Sequence, residues 1–165
     1  EDNIVSSYAN IGSLIPEVEY LKNDKEVAFC DSKIIIFNNN TRATVAKEIT
    51  VSEEMKSVFY NDTHFGYVCE TAKDNGELVN QLNVYNLYGF KCISKEIESG
   101  YDDISLLSNN EICLKDGNEI ILYNLQGFKR FDYSFEEGIY DIFPGATSRR
   151  YYLIGGTATE QIYIK

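Results

Sequence analysis

Two short phrases carry the residues best suited to chemistry in this sequence. Gly100-Tyr101-Asp102-Asp103-Ile104 returns 38 residues later as Gly138-Ile139-Tyr140-Asp141-Ile142. Carboxylates are hard oxygen donors, so Asp103 and Asp141, at equivalent points of the two copies, would hold a cation or a basic peptide if they converged, with Asp102 beside the first as a further candidate. Tyr101 and Tyr140 accompany them as candidate ligand-binding residues. The competing use of the same carboxylates is local: each accepts hydrogen bonds from the backbone N–H groups of its own loop.

No other constellation assigns a catalytic residue. His64 is the only histidine, and no serine or cysteine stands beside it in a nucleophile elbow. Glu53-Glu54 and Glu136-Glu137 are carboxylate pairs of the kind glycoside hydrolysis employs, but acidic pairs at element ends are ordinarily solvated. The absence of any CxxC or Cys/His spacing argues against a metal site. Arg149-Arg150 is an isolated basic pair in a turn. Asn39-Asn40-Thr41 and Asn61-Asp62-Thr63 match glycosylation sequons, which matter only in a eukaryotic secretory context.

The elements that position these residues follow from a second repeat. Tyr85-Asn86-Leu87-Tyr88-Gly89-Phe90-Lys91 recurs as Tyr123-Asn124-Leu125-Gln126-Gly127-Phe128-Lys129, again 38 residues on, and Phe37-Asn38-Asn39-Asn40-Thr41 is a worn copy upstream. Asn followed three residues later by Gly supplies a side chain that bonds its own backbone and a residue that tolerates positive φ, which predicts a hairpin turn. Ile34-Ile35-Ile36-Phe37 and Ile120-Ile121-Leu122-Tyr123 before the turn are apolar on both faces, as in strands packed between two layers. After it, Phe131, Tyr133 and Phe135 alternate with polar residues, as in a strand with one wet face. The same register places Ile93 and Ile97, and then Val45 and Ile49, at the positions of Phe131 and Phe135. A repeat of about 40 residues with several short strands predicts β-propeller blades.

The fold class is therefore all-β: a single propeller domain over 1–165, of about four four-stranded antiparallel blades at 12–50, 51–97, 98–135 and 136–165. The second unit is ten residues longer, and the surplus reads as an extended hairpin loop over Glu70 to Asn80. The fourth unit lacks an outer strand, while Ile4-Val5-Ser6-Ser7-Tyr8 is a spare one, so residues 1–10 are expected to complete it and close a ring. The alternative is an arc of a larger propeller, whose open apolar faces would favour a homodimer or aggregation.

With 44% hydrophobic and 13% aromatic residues the chain is not disordered. Its formal charge of −11 disfavours nucleic acid and anionic membrane as partners. No stretch reaches the roughly 20 apolar residues of a membrane helix, so no direct membrane insertion is expected of this segment. The chain begins at Glu1 rather than Met, which is read as removal of what came before, by engineering or by natural cleavage, with an anchored or exported parent as the expectation. Cys30, Cys69 and Cys113 fall in the second apolar run of successive repeats and, with Cys92, are expected as small buried thiols rather than disulfides.

The phrase Ile-x-(Ile/Leu)-Tyr-Asn-Leu-x-Gly, an outer strand, then Tyr-Asp-x-Ile, resembles uncharacterised bacterial propellers with WD40-like and quinoprotein-like blades. It is similar to a family of unknown function in Gram-positive bacteria, over about Lys33 to Lys165. The resemblance implies an extracytoplasmic propeller behind an N-terminal membrane segment. Trp-Asp and Gly-His pairs are missing, as is a tryptophan docking residue, so no quinone or other cofactor is expected. The leading expectation is a non-enzymatic binding or scaffolding propeller at the cell envelope that presents rim loops to a protein or peptide. The rival is a small-ligand or glycan-binding propeller, with a hydrolase as its enzymatic variant, using acidic residues at the axial rim.

Overall fold

Asn, Asp and Gly punctuation cuts the described residues into fifteen short strands, and no helix occurs among them. The computed structural model describes residues 15–39, 44–97 and 100–164. It divides into two compact units, Glu1–Glu96 and Ile97–Lys165.

In the first unit, β1 (Glu17–Leu21), β2 (Lys25–Phe29), β3 (Lys33–Asn38) and β4 (Thr44–Thr50) pair in chain order. The turn joining β1 to β2 runs through Asn23 and Asp24, both at positive φ (58° and 52°), a conformation their short polar side chains tolerate. A second sheet follows: β5 (Met55–Tyr60), β6 (His64–Ala72), β7 (Leu78–Asn86) and β8 (Lys91–Ile97). The two pack face to face, Val27, Phe29, Ile34 and Ile36 against Phe65, Tyr67, Tyr85 and Leu87. Phe65 meets Phe29 edge-on at 6.1 Å and stacks on Tyr85 at 5.7 Å, contacts worth about 1 kcal/mol each beyond their burial. The other face of the first sheet buries Ala28, Cys30, Ile35 and Phe37 as well. That explains the uninterrupted apolar run of β3.

The ten surplus residues of the second repeat lengthen a hairpin rather than a loop. Glu70, Thr71 and Ala72 pair with Asn80, Val79 and Leu78, so only residues 73–77 turn. Polar composition does not prevent pairing where both ladders continue from buried strands.

The second unit holds β9 (Asp103–Leu106), β10 (Ile112–Asp116), β11 (Glu119–Tyr123) and β12 (Lys129–Ser134), then β13 (Ile139–Pro144), β14 (Arg150–Gly155) and β15 (Thr159–Tyr163). Cys113, Ile120 and Leu122 face Ile142, Tyr151, Leu153 and Ile164 across the layer, with Phe131, Phe135, Ile139 and Ile162 at its margin. The strand expected at Ile4–Tyr8, and with it closure of the fourth sheet, lies outside the described residues.

The twin turns are built alike. The Asn86 side-chain oxygen accepts the backbone N–H groups of Tyr88 (3.0 Å) and Phe90 (3.1 Å); that of Asn124 accepts those of Gln126 (3.0 Å) and Phe128 (2.9 Å). Gly89 and Gly127 sit at φ of 75° and 78°. The three register pairs also fall where the repeat puts them: Ile93 and Ile97 are buried, and Val45, Ile49, Phe131 and Phe135 are partly buried against the core. None of the four cysteines forms a disulfide; Cys30, Cys69 and Cys113 are buried, whereas Cys92 is exposed on β8.

Candidate functional site

The paired carboxylates stand at the entrances to the inner strands β9 and β13, and a lysine from the neighbouring strand organises them. Asp103 opens β9 opposite Lys115 on β10, and the Lys115 ammonium lies 3.3 Å from its Oδ2. The same ammonium donates a 2.7 Å hydrogen bond to the backbone carbonyl of Tyr140. One cation of the chain's own thus ties the first copy of the phrase to the second. Asp102 turns the other way: its Oδ2 accepts the N–H of Gly117 (3.0 Å), bracing the β10–β11 turn. Asp141 accepts the N–H of Ile142.

The Cys113 thiol is buried on β10, two residues before Lys115. Burial, reinforced by Asp103 and also by Asp141 and against the pull of Lys115, pushes this thiol up to about 12. Such a group stays protonated and is a poor nucleophile. Of the accompanying tyrosines, Tyr101 is half-buried, and Tyr140 is exposed with its ring edge over Gly156. His64 is held in a turn, its N–H donated to the Asn61 side chain and its Nδ1 against the Thr63 hydroxyl at 2.8 Å. Asn61, the sequon residue, is thereby a turn cap. Among the described residues, no group of three or more His, Cys, Asp or Glu side chains converges as a metal site.

A concave site lies elsewhere in the second unit. A cleft of about 330 Å³ runs between the end of β12 and the fourth sheet, walled by Tyr133 and Phe135, floored by Ile139 and Leu153, and rimmed by Glu136, Glu137 and Glu160. Tyr133 and Phe135 meet edge-on at 4.8 Å, and the Thr157 hydroxyl donates to Glu137 at 3.0 Å. Sequence reasoning singled out Glu136-Glu137 and the aromatic alternation of β12 separately. Their adjacency was the available signal. Thr157 and Glu160 come from the β14–β15 hairpin and carried none.

Residues 1–164 match the family described as "Family of unknown function (DUF5711)". The chain belongs to that family. No curated protein matches this DUF5711 chain. Among solved structures it is similar to a eukaryotic initiation factor, with 10% identity and a TM-score of 0.58, covering 96% of this chain and 46% of that one. It is also similar to BBS1N in complex with ARL6DN, with 12% identity, a TM-score of 0.57, and 94% and 53% coverage. A third is the WD40 domain of SCAP from fission yeast, with 12% identity, a TM-score of 0.55, and 92% and 40% coverage. At such identities the likeness speaks for the fold: this DUF5711 chain has the β-propeller fold of WD40-like blades. It spans about half the length of these structures.

Proposed function

We propose that this chain is a non-enzymatic binding or scaffolding propeller on the outer face of a bacterial envelope, presenting rim loops to a protein or peptide partner. The observation that carries the reading is the exposure of large aromatic side chains on the twin turns. Tyr88, Phe90 and Phe128 are 51%, 65% and 69% exposed, held out by turns whose backbones are fixed by Asn86 and Asn124. Rigidly presented aromatic side chains are what protein interfaces enrich. The fold supports a partner of this class, since one similar propeller is seen in complex with another protein. The bonds that Lys115 and Gly117 make to Asp103 and Asp102 support a structural rather than catalytic use of those carboxylates. The extracytoplasmic location draws on the sequence resemblance.

Incubating the tagged chain with envelope extract and identifying what is retained tests this reading. Replacing Tyr88, Phe90 and Phe128 together with Ser should lower recovery of the partner at least tenfold. Recovery unaffected by the triple substitution would sink it.

The second reading, a small-ligand or glycan-binding propeller, draws on the Lys115 ammonium, which links Asp103 of the first copy of the phrase to the Tyr140 carbonyl of the second, next to Asp141. Under it, a thermal-shift screen finds a ligand whose stabilisation disappears in the Asp103→Ala/Asp141→Ala protein. Ligand shifts unchanged by that pair of substitutions remove it.

A further inference from the structure

We propose that the cleft between β12 and the fourth sheet receives the lysine or arginine side chains of a basic peptide segment. This rests on the reading of the chain as a peptide-binding propeller and names the chemistry of what it takes.

The cleft offers three things at once. Phe131, Tyr133 and Phe135 share one face of the β12 segment, with rings 6.1 Å and 4.8 Å from neighbour to neighbour. Phe131 and Phe135 are drawn into the core margin, whereas Tyr133 remains 54% exposed. An exposed ring beside an apolar floor is a surface for the stem and head of a long cationic side chain. Glu136, Glu137 and Glu160 then supply negative charge from both walls, and no Lys, Arg or His among the described residues lines the cleft to neutralise them. The volume, about 330 Å³, is at the lower end of ligand-binding clefts and suits one or two extended side chains.

The same residues discriminate against other occupants. Calcium wants six to eight oxygens at about 2.3–2.6 Å and magnesium an octahedron at about 2.0–2.1 Å, and these carboxylates do not converge into a metal-binding group. Phosphate and acidic peptides meet like charge. At Asp103 the chain supplies its own ammonium from Lys115; at the cleft a partner supplies it.

The test is an NMR titration of the 165-residue chain with an acetylated octapeptide of alternating lysine and glycine. A glutamate-glycine octapeptide and a neutral hexasaccharide serve as matched probes. Saturable shifts confined to residues 133–139 and 153–160 are expected with the lysine peptide alone. Tyr133→Ser should weaken that binding about threefold, and Glu136→Gln with Glu160→Gln about tenfold. These side chains are exposed, and unchanged spectra elsewhere in the molecule confirm that each variant is folded. Equal cleft shifts with the glutamate peptide or the hexasaccharide would overturn the cationic assignment. Lysine-peptide shifts mapping elsewhere would overturn the cleft while leaving peptide binding intact. Failure to select any binder from an unbiased displayed-peptide library would strike the underlying reading instead.

Discussion

Asn124 satisfies two backbone donors with one carbonyl oxygen, and its loss leaves both to water or to nothing. Asn124→Ala should therefore cost about 1–2 kcal/mol in a urea titration, whereas Asn124→Asp, which keeps the acceptor, should cost less than half of that. The glycines divide by a different physics. A Cβ on Gly66 would lie 2.5 Å from the Phe59 ring and 2.6 Å from the Asn83 carbonyl, so Gly66→Ala should destabilise by about 3 kcal/mol or more through overpacking. Gly117 has open space around it and a φ of 56°, so Gly117→Ala should cost only about 1 kcal/mol, the strain of the left-handed region. Comparable losses at the two glycines, read by the same titration, would refute this. The asparagine role was legible in the sequence because the bonds close within four residues. Gly66 was not, because Phe59 and Asn83 reach it from the two flanking strands, and nothing in the order of residues names that contact.

Strand by strand, alternation and turn residues located the elements, and departures arose where pairing overrode composition. The β6–β7 hairpin extends through polar residues because its buried halves fix the register. Its Lys56–Glu70 and Lys73–Glu96 pairs, the second at 2.6 Å, are exposed and add little to that. The thiols sort by strand position in the same way. An Ellman titration of the native chain should show one fast thiol, Cys92, and three that react only on unfolding; two or more fast thiols would contradict the packing of Cys30, Cys69 or Cys113. The candidate site was half legible. Repetition exposed the Asp phrase, but Lys115 enters it across a strand pair. The cleft joins one contiguous stretch, Tyr133 to Glu137, to a hairpin some twenty residues on.

The fold class was readable because a propeller repeats its errand in each blade, so a 38-residue echo carries three-dimensional information that a single copy lacks. Function had no such redundancy. At the scale of the whole molecule, stability should fall in alkali. The Cys113 thiol, whose ordinary value of 9.0 burial raises to about 12, and the Tyr151 phenol, raised from 10.0 to about 12 by burial and its bond to Glu111, both favour the protonated folded state. That contribution is complete below pH 9 and lost as pH climbs towards 12. Cys113→Ala should therefore flatten the decline of melting temperature between pH 9 and 11, though it starts lower for its cavity; an unchanged slope would show that the thiol is not the group responsible. The twin asparagine turns bear on cooperativity. One lies in each compact unit, chemically matched, so Asn86→Ala and Asn124→Ala act as paired reporters. If the units melt together, the two substitutions shift a single transition alike; if they melt apart, each moves its own, and the chain itself shows how far one half of its blades depends on the other.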